Sequence, residues 1–205
     1  MAALAARTST SPETSNDPAV EAAFAALPET MIAEILDGAL YTQPRPAPPH
    51  TRVASELGGE LIPPFSRGKG GPGGWVFRFE PELHLGPKPD KIVPDLAGWR
   101  LERMPAENGD QVLAHYAVAP DWVCEVLSPS TAGKDRIKKM RIYARERVGH
   151  VWLMDPSTRV LEVYRLEQSG YVLVGGGQDD EVVRAEPFDA IDLPLSLFWT
   201  TPPNP

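Results

Sequence analysis

The chain has 205 residues, 42% of them hydrophobic, a formal net charge of −8 and a mean hydropathy of −0.25. That is enough for one domain with a real core, and no run approaches the roughly 18–20 apolar residues of a membrane span. The acidic balance argues against coating nucleic acid by bulk electrostatics, yet leaves room for a local basic patch and a metal.

Residues 1–27 are biased to Ala, Ser, Thr and Pro and read as an extension, disordered or loosely helical around Pro18 to Ala26. Met1 to Ala6 is Ala-rich, but Arg7 and the polar run to Asn16 leave no hydrophobic signal core, so a soluble cytoplasmic protein is expected. The remainder, 28–205, reads as one domain. In Met31 to Leu40, apolar residues flank Asp37-Gly38, which predicts strand, turn, strand. The run Gln43 to Pro49 is a stiff proline loop. Val53, Leu57 and Leu61 then recur at helical spacing, predicting a helix from His50 to about Ile62 that Pro63-Pro64 stops. Arg67 to Gly74 is glycine-rich but leads into a strand rather than a helix, so it reads as a connector, with Arg67 and Lys69 near substrate.

Three strands are predicted next, over Trp75 to Leu85, Ile92 to Trp99 and Asp121 to Leu127. Ser128 to Thr131 supplies capping hydroxyls and a proline suited to a first helical turn. A helix over Asp135 to Arg147 follows, with Ile137, Met140 and Ala144 inward and Gly149 at its end. A buried-type strand from His150 to Met154 precedes meander strands at 160–166, 171–174 and 181–184.

Two of these strands carry a carboxylate inside an apolar run. Alternation places Asp95 on a face with Val93 and Ala97, and Glu125 with Val123 and Leu127. A buried carboxylate costs several kcal/mol, roughly, unless something compensates it. Two on neighbouring strands look like half of a metal site. The bland alternatives are a Pro-Asp turn at Asp95 and an ion pair from Glu125 to a helix lysine. Pro89-Asp90, in a Gly-Pro-Lys-Pro loop, reads as a turn alone. The single cysteine, Cys124, fits a reducing compartment and a core-filling role. The four histidines have no zinc-ligand spacing, and His50 is open to a helix-terminal or site-rim role. Trp99, Trp122 and Trp152 read as core.

In order, Leu27-Pro28-Glu29, Ile35 to Gly38, the proline loop ending in His50, Val93-Pro94-Asp95-Leu96, Glu125 to Thr131, Asp135, Lys139, Tyr143 and Gly149 to Pro156 form a specific set. The chain resembles the Uma-two family of restriction endonuclease-like proteins, a branch of the PD-(D/E)XK nuclease superfamily. The resemblance implies the α/β (α+β) class: a restriction-endonuclease-like core, a mixed β-sheet flanked by helices, here with an antiparallel meander added. The superfamily motif asks for Glu-x-Lys, but Leu127 stands at the lysine position. The resemblance moves the lysine to the next helix and assigns it to Lys139. Lys138, about 100° away around a helix, is the alternative. Asp135 and Tyr143, each four residues from Lys139, share its face.

The implied chemistry is metal-dependent hydrolysis of DNA by an endonuclease. Asp95, Glu125 and the Val126 carbonyl would hold Mg²⁺ or Mn²⁺, which favour hard oxygen ligands. Lys139 would orient or deprotonate the attacking water, and Glu34 would add a carboxylate. Lys134, Arg136, Lys138, Lys139, Arg141, Arg145 and Arg147 offer a basic helix for phosphate contact. A homodimer would suit double-strand cleavage. The competing readings are an inactive binding or assembly module on a nuclease fold and a phosphoesterase acting on nucleotides or RNA.

Overall fold

The computed structural model describes residues 17–28, 30–45, 47–104, 114–128 and 132–199. The expected disorder of residues 1–16 and the capping roles of Pro129, Ser130 and Thr131 lie outside them. Helix α1 (Pro18–Ala25) opens the described chain, and the Asp17 carboxylate accepts from the Ala19 N–H as its N-cap. Strands β1 (Met31–Leu36) and β2 (Ala39–Pro44) form the predicted hairpin. Asp37 and Gly38 both have positive φ, as a two-residue hairpin turn with the right twist requires.

Helix α2 (Pro48–Leu61) buries Val53, Leu57 and Leu61, the predicted stripe. The two prolines do not stop it. The chain winds on through Ile62–Ser66 with a wider turn, closed by Arg67 N–H to Ile62 O at 3.1 Å. The wider turn spares the proline rings a clash with carbonyls four residues back.

Prolines also divide two predicted strands. The run from Trp75 becomes β3 (Trp75–Phe79) and β4 (Leu83–Leu85), parted at Glu80-Pro81, where Glu80 has φ +44°. The run around Asp95 becomes β5 (Asp90–Ile92) and β6 (Leu96–Arg100), parted at Val93-Pro94-Asp95. Proline donates no ladder bond and constrains the residue before it, so each run changes sheet. After β7 (Trp122–Val126) come α3 (Ala132–Lys134), a wide-wound turn at Asp135–Lys139 and α4 (Met140–Arg145). This helical segment crosses to β8 (His150–Asp155), which runs parallel to β7. Then follow β9 (Val160–Glu167), β10 (Gly170–Gln178), β11 (Val182–Val183), β12 (Leu193–Pro194) and α5 (Ser196–Trp199).

The strands order as β10-β9-β8-β7-β6-β3 in a mixed six-stranded sheet, β2-β1-β5-β4 in a second sheet, and β11-β12 as a pair. The last of the predicted meander strands therefore leaves the main sheet. Alternation sorts the central strands into two cores. Leu96, Trp122, Cys124 and Trp152 pack under α2 and the C-terminal segment. Ala97, Trp99, Val123 and Leu153 pack under α4 and the second sheet. The three tryptophans and Cys124 are buried, as their strand positions predict.

The crossing helix is oriented differently from the prediction. Ile137 is 54% exposed, while Asp135, Lys139, Ile142 and Tyr143 are buried. The wide turn shifts the helical phase, and the inward face is polar where it meets the carboxylates. Nor does Gly149 end the helix. Arg147 adopts the left-handed conformation (φ +64°), and Val148 N–H closes back on Tyr143 O at 2.9 Å. Among the described residues no helix is long and apolar enough to cross a membrane.

Candidate active site

The antiparallel register of β6 with β7 pairs Leu96 with Cys124. Extending that register by one residue sets Asp95, in the bend before β6, level with Glu125. The Val126 N–H donates to Asp95 Oδ2 at 2.6 Å, so the end of β7 fixes this carboxylate. On its other oxygen, His50 Nε2 lies 3.2 Å from Oδ1. His50 comes from the first turn of α2 and thus occupies the site rim. Burial disfavours its charged form, but Asp95, with Glu80 and Asp135 behind it, raises the imidazole above 6.5.

Lys139 supplies the centre. Its side chain is 2% exposed, and Nζ lies 2.8 Å from Glu34 Oε1, 3.0 Å from Glu125 Oε2 and 3.5 Å from Asp135 Oδ1. Burial opposes the ammonium, but Glu125, Glu34, Asp135 and Asp95 outweigh it and hold the lysine well above its ordinary value. Lys138 points elsewhere, over the Tyr41 ring at 5.2 Å. The two registers are thus resolved: Lys139 faces the carboxylates.

Glu125 receives a second donor, the Tyr143 hydroxyl, at 2.5 Å from Oε1. Burial pushes the Glu125 carboxyl well above its ordinary value; Lys139 opposes, and Asp135, Asp95 and Glu34 add to the rise. Glu34 behaves differently. Burial resists its charge, yet Lys139 and Lys134 together bring it below 4.5. It also accepts from the Val93 N–H at 3.1 Å. Glu34 therefore clamps the lysine and the loop before Asp95.

Lys134 is the partner that sequence reasoning misplaced. Read as part of a phosphate-facing stripe, it instead lies 2.6 Å from Glu34 Oε2 and 2.8 Å from Gln43 Oε1. Gln43 carries no signal in the sequence, and Tyr143 was legible only as a neighbour of Lys139 on the helix. Other cations of the stripe are also engaged: Arg136 with Glu162, and Arg145 with Asp37, Asp90 and Glu146. Asp90 is more than a turn residue, since it is buried and accepts from the Asp37 N–H at 2.5 Å as well as from Arg145. It ties the β1–β2 turn to α4, away from the carboxylates. The glycine-rich loop enters β3 at Trp75, opposite Arg100, whereas the site lies at the Phe79–Leu96 end. Arg67 and Lys69 are therefore remote from it.

Whether a divalent cation suits this cluster can be judged from its donors. Glu34, Glu125 and Asp135 meet Lys134 and Lys139, and Asp95 meets His50, so hard carboxylate oxygens of the kind such a cation takes stand together here. Among the described residues, no three His, Cys, Asp or Glu side chains already stand in a metal-holding arrangement. Mg²⁺, however, commonly takes only one or two carboxylates and completes its shell with water and phosphate. Each carboxylate oxygen also keeps lone-pair capacity beyond one hydrogen bond. The donor set fits.

A family model described as "Putative restriction endonuclease", Uma2, matches residues 22–196. Among solved structures, one from Anabaena variabilis ATCC 29413, titled a putative nuclease belonging to DUF820, superposes with a TM-score of 0.67. The two share 23% identity, over 86% of this chain and 94% of that one, a likeness that speaks for the fold. No curated protein matches the chain.

Proposed function

The chain belongs to the Uma2 family, and from that premise we propose that it is a metal-dependent endonuclease hydrolysing DNA phosphodiester bonds. The observation that carries this reading is Lys139. It has left the strand position of the superfamily motif, yet its Nζ returns to within 3.0 Å of Glu125. A lysine and a glutamate brought into contact from different elements are what a working site needs.

Asp95, Glu125 and the Val126 carbonyl would hold Mg²⁺ or Mn²⁺. When bound, the ion supplies Lewis acidity at the phosphoryl oxygen and a template for the attacking water. The protein residues have their own tasks. Lys139, held protonated, acts as a hydrogen-bond donor that orients the water and balances charge building on the phosphate, rather than as its base. Glu34 and Asp135 fix the ammonium, Lys134, itself held by Gln43, fixes Glu34, and Tyr143 fixes Glu125. His50 and the Val126 N–H hold Asp95 to one orientation. This preorganisation is where a phosphoryl-transfer site gains most of its rate.

A second reading, a binding or assembly module, draws on the engagement of the basic helix in internal ion pairs. One experiment separates the two. Plasmid and single-stranded DNA are incubated with Mg²⁺ or Mn²⁺ and wild-type protein or Glu125→Ala. Metal-dependent cleavage that disappears in the variant supports the nuclease. Absence of cleavage, with intact folding and no metal binding by calorimetry, supports the module.

A further inference from the structure

Asp95 has a further neighbour besides the Val126 N–H. It forms one wall of a cavity of about 150 Å³, which His50, Thr51, Ser55, Phe79 and Glu80 also line. Nothing in the hydrolysis described above uses this space. A cavity of about that volume admits a benzene ring, and it falls short of the roughly 300–1,000 Å³ that drug-sized ligands occupy. It has room for one ring.

Its lining suits a flat, polar-edged ring. Phe79 ends β3 with 47% of its surface exposed. The ring is nevertheless braced, because a Cβ at Gly58 would lie 2.2 Å from its Cζ. The phenyl ring rests on the α2 backbone where no side chain intervenes. Thr51 and Ser55, four residues apart on α2, bring hydroxyls to the same cavity. The Nδ1 atom of His50 is buried with no hydrogen-bond partner. Glu80 places a carboxylate in the wall, which repels a phosphate but accepts from the amino and N–H groups of a base edge. Arg45 holds Glu80 in place at 2.9 Å.

We propose that this cavity is a base subsite, taking one unpaired nucleobase beside the scissile phosphate and stacking it on Phe79. The proposal rests on the nuclease reading and narrows its substrate. A base inside a duplex has both faces covered, so the strand at the cut must be single or have a base extruded. The cavity adjoins Asp95, so the base it holds belongs to a nucleotide next to the reacting phosphate.

The test measures binding with the full chain in Mg²⁺, on the Glu125→Ala background so that nothing is cut. The probes are a fluorescent single-stranded oligonucleotide and a strand of equal length built wholly of abasic sites. Wild-type cavity residues are expected to bind the base-bearing strand about ten- to a hundredfold more tightly, the scale of one stacked base. Phe79→Ala and Gly58→Ala, which removes or displaces the ring, should erase that difference, and Phe79→Trp should keep it. Loss of the difference in Phe79→Trp as well, or equal binding of both strands by the unaltered cavity, overturns the subsite. Cleavage by otherwise wild-type protein distinguishes the two readings. Cutting that is indifferent to Phe79→Ala removes the subsite and leaves the nuclease. Phe79-dependent binding without cutting under either metal removes the nuclease and leaves the subsite.

Discussion

Replacing Lys139 with methionine keeps the stem of the side chain and deletes its charge, so the consequence follows from the geometry. The ammonium is 2% exposed and has carboxylate oxygens at 2.8, 3.0 and 3.5 Å. Removing one partner from a buried ion pair costs about 3–5 kcal/mol, because the remaining charges stay out of water. That is a large share of the roughly 5–15 kcal/mol that holds a domain together. The cost has a pH signature. Lys139 is held above 10.5, so its contribution in wild type is intact across neutral pH. In the variant Glu125, already raised above 4.5 by burial, loses its main opposing charge and rises further. A carboxyl raised in the folded state leaves stability intact below its unfolded value and erodes it as pH climbs toward the folded one. The slope is about 1.4 kcal/mol per pH unit for one proton. Guanidinium unfolding followed by circular dichroism should therefore show a larger deficit at about pH 7 than at about pH 5. The double variant Lys139→Met/Glu125→Gln should recover part of it, since the amide has no charge to bury. A deficit under about 1 kcal/mol at both pH values, the level of an exposed ion pair, would refute the buried cluster.

Cleavage should fall about a hundredfold or more in Lys139→Met and stay within about twofold of wild type in Lys138→Met, the range of a lost catalytic group against a bystander. Equal losses in quantitative nuclease assays would return the choice of register to the open. His150 offers a pH test remote from the site. Burial lowers its pKa below 6.5, against the pull of Glu186. The unfolded chain therefore takes up the proton first, and stability present above 6.5 is lost on acidification. Melting temperatures of His150→Gln should fall less than those of wild type from about pH 7 to 5; parallel curves would exclude His150 as a source. Arg145→Met leaves Asp90, 4% exposed, without its counter-charge. A loss of about 1–3 kcal/mol by thermal denaturation is expected, the cost of a stranded buried acceptor, with cleavage retained. Unchanged stability would show that the tie between the β1–β2 turn and α4 is dispensable.

Much of this was legible one element at a time. Asp37-Gly38 marked its hairpin, Val53, Leu57 and Leu61 marked the buried face of α2, and strand alternation put Glu125 on a face with Val123 and Leu127. The family resemblance pointed to Lys139, and the four-residue spacing of Asp135, Lys139 and Tyr143 favoured it over Lys138. Each of these rests on periodicity inside a single helix or strand, which the backbone imposes whatever surrounds it. Proline was the main source of error, because its effect depends on context. Pro63-Pro64 widened a helix instead of ending it, while Pro81 and Pro94 sent single apolar runs into two sheets. The inward face of the crossing helix was misjudged for a related reason. Hydrophobicity favoured burying Ile137, but a wide turn and the ion pairs of Lys139 with Glu34 and Glu125 turned Lys139 inward, with Asp135 beside it. What joined Lys134 to Gln43 and Glu34, residues 91 and 100 positions away, was no local pattern. The same holds for His50 on Asp95 and for the bracing of Phe79 on Gly58. Such contacts arise only when the sheets and helices close on each other. The sequence alone therefore determined which residues of one element share a face. The tertiary structure decided which partners complete them, because charge balance in a buried cluster is settled by neighbours in space.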